Sequence, residues 1–318
     1  MLPDGRRLGA HLPLGGGMVK AVERAHEIGA SALQVFGDNP TAWKRRAAPP
    51  DELPAFRARL AELDIGPVAI HASYLINLAG VNPEFNAGSI ALLVEELRAA
   101  PGYAASFVNA HTGSHRGTSP QDGIARLADA VASVLAEVNG GAGATRLVLE
   151  NSAGAGFGVG TTVDELADIA EAIAARGVPD ERVGFCLDTA HLWGAGHDLS
   201  DPATTDTLLE AFDRQIGLHR LAMLHLNDSK SPLGSRTDRH EHIGAGGIGE
   251  RGMAHVLTHP LLTGVPTYLE TPGMDEGYDA VNVARAVALA EGRPLAPLPP
   301  GAMSVRGSRS RSAAPEVV

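Results

Sequence analysis

Eight short apolar segments, each followed by an amphipathic helical stretch, predict a single-domain α/β protein of the (β/α)8 TIM-barrel class. They are spread over nearly all of 318 residues that are 44% hydrophobic, enough to bury one large core. The segments are short and almost wholly apolar, as parallel strands covered on both faces must be. A doubly wound open sheet is the runner-up, but no G-x-G-x-x-G turn follows the first strand to support it.

In chain order the expected strands are LGAHLPL (8–14), ALQVF (32–36), VAIHAS (68–73) and FVNAH (107–111). RLVLEN (146–151), VGFCLD (183–188), LAMLHLN (221–227) and TYLET (267–271) complete the set. Of the helices between them, TTVDELADIAEAIAARG is the clearest. Val163, Leu166, Ala167, Ala170, Ile173 and Ala174 form one apolar stripe, Thr162 and Glu165 read as a capping box, and Gly177 supplies the stop. The barrel is expected to occupy residues 1–293. Residues 294–318 are rich in Pro, Gly, Ser and Arg without an apolar period, and are expected to form a disordered tail in which Arg306, Arg309 and Arg311 are solvated.

Composition narrows the function. The single Cys186 excludes an intrachain disulfide framework, and the N-terminus lacks the charged-then-apolar profile of a secretory signal, so a cytoplasmic protein is expected. No apolar run approaches the roughly 18 residues that span a bilayer. The formal net charge of -11 argues against a nucleic-acid partner. Charges farther apart than about 8 Å are largely screened, however, so the local balance at a site outweighs the total.

In a barrel of this class the chemistry lies at the carboxyl ends of the strands. His71 closes the third expected strand, His111 the fourth, Glu150 the fifth, Asp188 the sixth, His225 the seventh and Glu270 the eighth. His191 follows Asp188 by one helical turn. The glycine-rich segment after the seventh strand carries Asp238 and His240, whose spacing of two turns a carboxylate and an imidazole to one side of an extended chain. Zinc accepts that mixed set at about 2.0 to 2.2 Å. Four carboxylates in one mouth without cations would force some to stay protonated, a conflict that metals resolve. Nine candidate ligands are too many for one zinc and ample for three, and Glu150, with two oxygens on a central strand, is a natural bridge. Three Zn2+ would leave such a mouth positive and attractive to phosphate despite the acidic chain.

The stretches HASYLINLA (71–79), NAHTGSH (109–115), LENSAGAG (149–156), GFCLDTAHLWGAGHD (184–198), HLNDSKSPLGSRTDRHEHIGAGGIG (225–249) and YLETPG (268–273) resemble the endonuclease IV family of apurinic/apyrimidinic endonucleases, in order, over about residues 8–290. The resemblance implies a barrel with a trinuclear zinc site that hydrolyses the phosphodiester 5′ to an abasic deoxyribose in double-stranded DNA, by a single chain without an obligate protein partner. It implies one zinc on His71, His111 and Glu150, a second on Glu150, Asp188, His225 and Glu270, and a third on His191, Asp238 and His240. Glu150 and Glu270 are then the catalytic carboxylates. Tyr74 and Leu75 correspond to a pair inserted into the minor groove, and Lys230, Arg236 and Arg239 are expected to grip phosphates beside the lesion. The sequence departs from the family's pattern at Thr41 and Ala42, where a basic residue usually precedes the Trp, at Ala155 in place of Gln, and at His197 in place of Tyr. Lys44, Arg45 and Arg46 stand close enough to Thr41 to compensate.

Two rival readings follow from the same residues. Related barrels that isomerise or epimerise sugars hold one divalent metal on a Glu, Asp, His, Glu set, here Glu150, Asp188, His225 and Glu270. A lesion binder without catalysis is the second, motivated by the altered Thr41 loop.

Overall fold

Parallel strands of three to seven residues close on themselves in the order β1-β10-β7-β6-β5-β4-β3-β2. The structure is a computed structural model and describes residues 1–138, 144–274 and 276–304. The barrel strands are β1 (Leu8–His11), β2 (Ala32–Val35), β3 (Val68–His71), β4 (Ala105–His111), β5 (Arg146–Glu150), β6 (Val183–Asp188), β7 (Leu221–His225) and β10 (Thr267–Leu269). A small antiparallel pair, β8 (Asp228–Ser229) and β9 (His240–Glu241), lies outside the barrel in the connection that follows β7. The eight expected strands and their closure are present. The first is shorter than expected, ending at His11 rather than residue 14, because Pro13 has no N–H to continue a ladder.

Strand alternation explains how the barrel positions its chemistry. Ala32, Ala69, Val148, Cys186, Met223 and Tyr268 form a small buried cluster of their own, the plug of the barrel interior, with Phe107 against it. Two residues on along each strand, on the same inward face, stand Gln34, His71, Glu150, Asp188, His225 and Glu270, while Asn109 and His111 follow Phe107. Gly9 and His11 are the corresponding pair on β1. Gly9 is required there, since a Cβ would lie 2.7 Å from the Tyr268 ring. The inner column therefore reads apolar below and polar above, and the polar layer opens at the carboxyl ends.

The helices cover the outer face through a second, larger core. In α5 (Val163–Ala174) the buried residues are Val163, Leu166, Ile169, Ala170 and Ile173. Ala174 is exposed and Ile169 is buried, so the stripe runs through Ile169 and ends at Ile173, one residue earlier than expected. Thr162 caps the helix by accepting from Glu165 N at 3.1 Å, but Glu165 Oε2 reaches Thr161 N and Oγ1, both at 2.8 Å, so the reciprocal half of the box is shifted by one residue.

Residues 294–304, expected in the tail, are instead anchored on the barrel, with most of their side chains exposed. Arg285 Nη1 donates to Ala296 O at 2.7 Å, His242 Nε2 donates to Ala302 O at 3.1 Å, and Ala302 is fully buried. These contacts give the segment partners that its composition does not advertise. Arg306, Arg309 and Arg311 lie outside the described residues. Among the described residues no helix is long and apolar enough to cross a membrane.

Candidate metal centre

The side chains at the strand ends converge on three adjoining points. Glu150 is fully buried at the end of β5 and offers one oxygen to each of two neighbouring groups. Its Oε2 lies 3.7 Å from His71 Nε2 and 3.6 Å from His111 Nε2, while Oε1 lies 3.1 Å from His225 Nδ1. His225 Nδ1 also faces Glu270 Oε2 at 3.3 Å and Asp188 Oδ2 at 3.8 Å. At the third point Asp238 stands between two imidazoles, its Oδ2 3.2 Å from His191 Nε2 and its Oδ1 2.9 Å from His240 Nε2. His240 Nε2 is 3.8 Å from Asp188 Oδ2, which links this group to the central one. Ligands about 2.1 Å from a shared tetrahedral cation stand roughly 3.4 Å apart, the spacing seen at all three points. The nine residues picked out by the sequence are thus brought together, with Asp238 at the lip, its side chain 45% exposed.

Hydrogen bonds on the far side of the rings select the nitrogen that faces inward. His71 Nδ1 donates to Ala72 O at 2.8 Å, His191 Nδ1 to Asn151 O at 2.9 Å and His240 Nδ1 to Glu270 O at 2.7 Å, leaving each Nε2 as a lone pair aimed at the carboxylates. His225 is turned the other way: Nε2 donates to Gln34 Oε1 at 2.9 Å, and Nδ1 faces the site. His240 Nε2 is buried and makes no hydrogen bond, an orphan that a cation would satisfy.

The carboxylates are held in turn. Asn227 Nδ2 donates to Asp188 Oδ2 at 2.7 Å and Glu270 Oε2 at 3.4 Å, and Asn227 Oδ1 accepts from Glu270 N at 2.8 Å. Gln34 Nε2 donates to Glu270 Oε1 at 2.6 Å, with His11 Nδ1 3.5 Å from the same oxygen, and Asn109 donates to Glu150 Oε2. His11, Gln34, Asn109 and Asn227 escaped the sequence reading, although strand alternation from the apolar plug leads directly to the first three.

The electrostatics express a demand for positive charge. Burial opposes ionisation of Glu150, but the neighbouring His225 and His111 outweigh it and hold the carboxyl well below its ordinary value. Burial raises Asp188 above its ordinary value. At the lip, His240 and His191 overcome burial to hold Asp238 well below the usual carboxylate range, and His240 rises to about 10 against its own burial, drawn mainly by Asp238. His71, farther from the negative charge, is lowered by burial to about 4.

Known proteins resemble this chain in sequence and fold. A family profile described as a xylose isomerase-like TIM barrel matches residues 22–291. Probable endonuclease 4 of Halothermothrix orenii is 40% identical over 282 residues, 88% of this chain and 99% of that protein. Probable endonuclease 4 of Halorhodospira halophila is 42% identical over 271 residues, 85% of this chain and 90% of that protein. The crystal structure of endonuclease IV from Thermus thermophilus superposes with a TM-score of 0.76 at 36% identity, covering 90% of this chain and 99% of that one. The chain belongs to the endonuclease IV family.

Residues outside the ligand set vary in how they meet the endonuclease IV expectation. Tyr74 follows β3 with its side chain 50% exposed and its ring 5.6 Å from that of His71. Leu75 is half-buried and packs against the core. Lys230 Nζ lies 3.9 Å from Glu241 Oε2, whereas Arg236 and Arg239 are exposed between β8 and β9. Arg45 and Arg46, near Thr41, are both engaged within the protein. Arg45 Nη2 donates to Glu96 Oε1 at 2.8 Å and Nη1 to Asn39 O at 2.9 Å, and Arg46 pairs with Asp38 at 3.3 Å. Lys44 is exposed. The Thr41 hydroxyl donates to Asn39 Oδ1 at 2.9 Å, and His197 Nε2 donates to Thr161 O at 3.1 Å.

Proposed function

We propose that this protein is a zinc-dependent apurinic/apyrimidinic endonuclease of base excision repair. It hydrolyses the phosphodiester 5′ to an abasic deoxyribose in duplex DNA and leaves a 3′-hydroxyl and a 5′-deoxyribose phosphate. The observation that carries this reading is Glu150 shared between two ligand groups with a third group adjoining. A sugar isomerase or epimerase needs only Glu150, Asp188, His225 and Glu270. It would have no use for His71, His111, His191, Asp238 and His240 aimed at the same mouth.

The donor set fits three Zn2+. His71, His111 and Glu150 would hold one, Glu150, Asp188, His225 and Glu270 a second, and His191, Asp238 and His240 the third. Bound zinc supplies Lewis-acid activation of water and cancels negative charge that builds on the phosphate and the leaving oxygen. The protein's own residues provide the rest. Glu150 and Glu270 are the catalytic carboxylates, Glu150 because its two oxygens fix the separation of two groups, and Glu270 because Gln34 and Asn227 hold it against His225. No side-chain nucleophile is required. Cys186 lies buried beneath the site, and burial pushes its thiol up to about 12, too high for a thiolate at neutral pH.

Lys230, Arg236 and Arg239 take phosphates flanking the lesion, and Tyr74 and Leu75 enter the minor groove beside the abasic gap. All nine candidate ligands come from one chain, which supports action as a monomer, and the expected location is the cytoplasm, at the nucleoid if the cell is bacterial. The test is a duplex carrying one abasic site, incubated with protein and zinc, with and without chelator. Scission at the lesion that chelator abolishes is expected. An intact strand rejects the reading, and tight binding without scission would favour the lesion binder. Tyr74→Ala is expected to lower the preference for abasic over intact duplex by about tenfold, since one base–aromatic stack is worth about 1 to 3 kcal/mol. Full selectivity in that variant would remove Tyr74 from the recognition set.

A further inference from the structure

On the rim of the mouth, the loop that follows β5 carries one large side chain turned to solvent. Within residues 152–160 Val159 is fully buried, and Phe157 is 60% exposed, more than any other aromatic residue among those described. Its backbone is left-handed, with φ 66°, a conformation that bulky residues rarely adopt. The chain on either side is pinned rather than loose: His115 N donates to Phe157 O at 3.0 Å, Gly158 N donates to Ala155 O at 3.1 Å, and Gly158 pairs with Ser114. The ring leans on His115 at 5.4 Å. An exposed apolar ring on a strained backbone opposes stability twice. Glycine would relieve both costs, and such outliers collect where a ligand is met.

The position identifies the ligand. The four exposed aromatic side chains among the described residues are Trp43, Tyr74, Phe85 and Phe157. They stand on the connections after β2, β3 and β5, on one side of the barrel order with β4 between the last two. Arg236 and Arg239 stand on the far connection, after β7. A duplex laid across the mouth with its phosphates toward those arginines has its bases toward the aromatic arc. An abasic site leaves a gap in the base stack, and a flat ring held at a fixed angle fills such a gap better than water does.

We propose that Phe157 is a lesion-recognition residue that stacks against a base bordering the abasic gap, from a different strand connection than Tyr74. This inference rests on the endonuclease reading given above. The experiment uses the full chain with zinc, a duplex bearing a tetrahydrofuran abasic analogue beside 2-aminopurine, and the matching intact duplex. Phe157→Gly and Phe157→Ala are expected to bind the abasic duplex on the order of tenfold more weakly, with affinity for intact duplex unchanged and the 2-aminopurine signal diminished. Phe157→Gly is expected at the same time to raise Tm, because glycine tolerates this φ. A merely structural residue would lose stability and leave the ratio of affinities alone. Wild type that prefers abasic duplex beside variants that prefer it equally overturns this inference by itself. Wild type that shows no preference overturns the endonuclease reading and this inference with it.

Discussion

Two regions among the described residues bring histidines and carboxylates close enough to hold a metal, and they differ in one proton. One is the mouth. The other, Asp206 with His255 and His259, lies between α7 (Pro202–Gln215) and α8 (Gly249–Thr258), its ligand atoms also within 4.8 Å of one another. A cleft of about 540 Å³ opens beside it, so room for a ligand does not separate the two. What separates them is the far side of each ring. In the mouth His71, His191, His225 and His240 donate outward to oxygen and keep a lone pair inward. In the outer cluster His259 Nδ1 accepts from Leu261 N at 3.2 Å, so the proton of the neutral ring sits on Nε2 and is given to Asp206 Oδ1 at 3.2 Å. That ring has no lone pair left for a cation. With His255 Nε2 2.5 Å from the same oxygen, the outer cluster fastens α7 to α8 and caps the short helix at Pro260–Leu262. The lesson is that proximity nominates a metal site and the surrounding hydrogen bonds decide it.

The contrast can be broken or sharpened by substitution. Glu150→Gln replaces one of the two oxygens that link two groups, so abasic-site cleavage should fall by at least about a thousandfold and zinc per chain should drop, beyond the roughly 10 to 100-fold typical of outer residues. Retained zinc would dissolve the bridge. Glu96 supplies a buried carboxylate without the mouth's histidines: burial raises it to about 7 despite Arg45. Because the folded value exceeds the ordinary 4.5, the folded chain holds this proton more tightly, and the contribution to stability is full below about 4.5 and lost as pH rises toward 7. At about 1.4 kcal/mol per unit the loss is roughly 3 kcal/mol, read as a fall in denaturation free energy that Glu96→Gln abolishes. An unchanged slope in that variant would assign it to another group.

Asn227→Ala takes away the amide that orients Asp188 and Glu270, and zinc affinity should weaken by about 10 to 100-fold with the fold intact by circular dichroism. Asp206→Asn should do least, leaving zinc content and cleavage at wild-type values while Tm falls slightly. Loss of a zinc there would make the outer cluster a metal site after all.

The fold was legible because the parallel strands announce themselves as apolar runs, and the nine ligands because six of the strands end in zinc-competent residues. His11 was hidden by extending the first strand to residue 14, past the Pro13 that ends it, and Gln34 because an amide is no metal ligand. Their roles emerge only when the inward column is followed upward from Tyr268 and its neighbours. The β8–β9 pair is too short to leave a period. Residues 294–304 read as a tail because their anchors, Arg285 and His242, lie on other elements, and Arg45 read as free because its partner Glu96 is some fifty residues on in the chain.

The most direct test is elemental analysis of purified wild type beside Asp206→Asn. The account predicts about three zincs per chain in both. One zinc in the wild type, or a fourth that disappears in the variant, would contradict it.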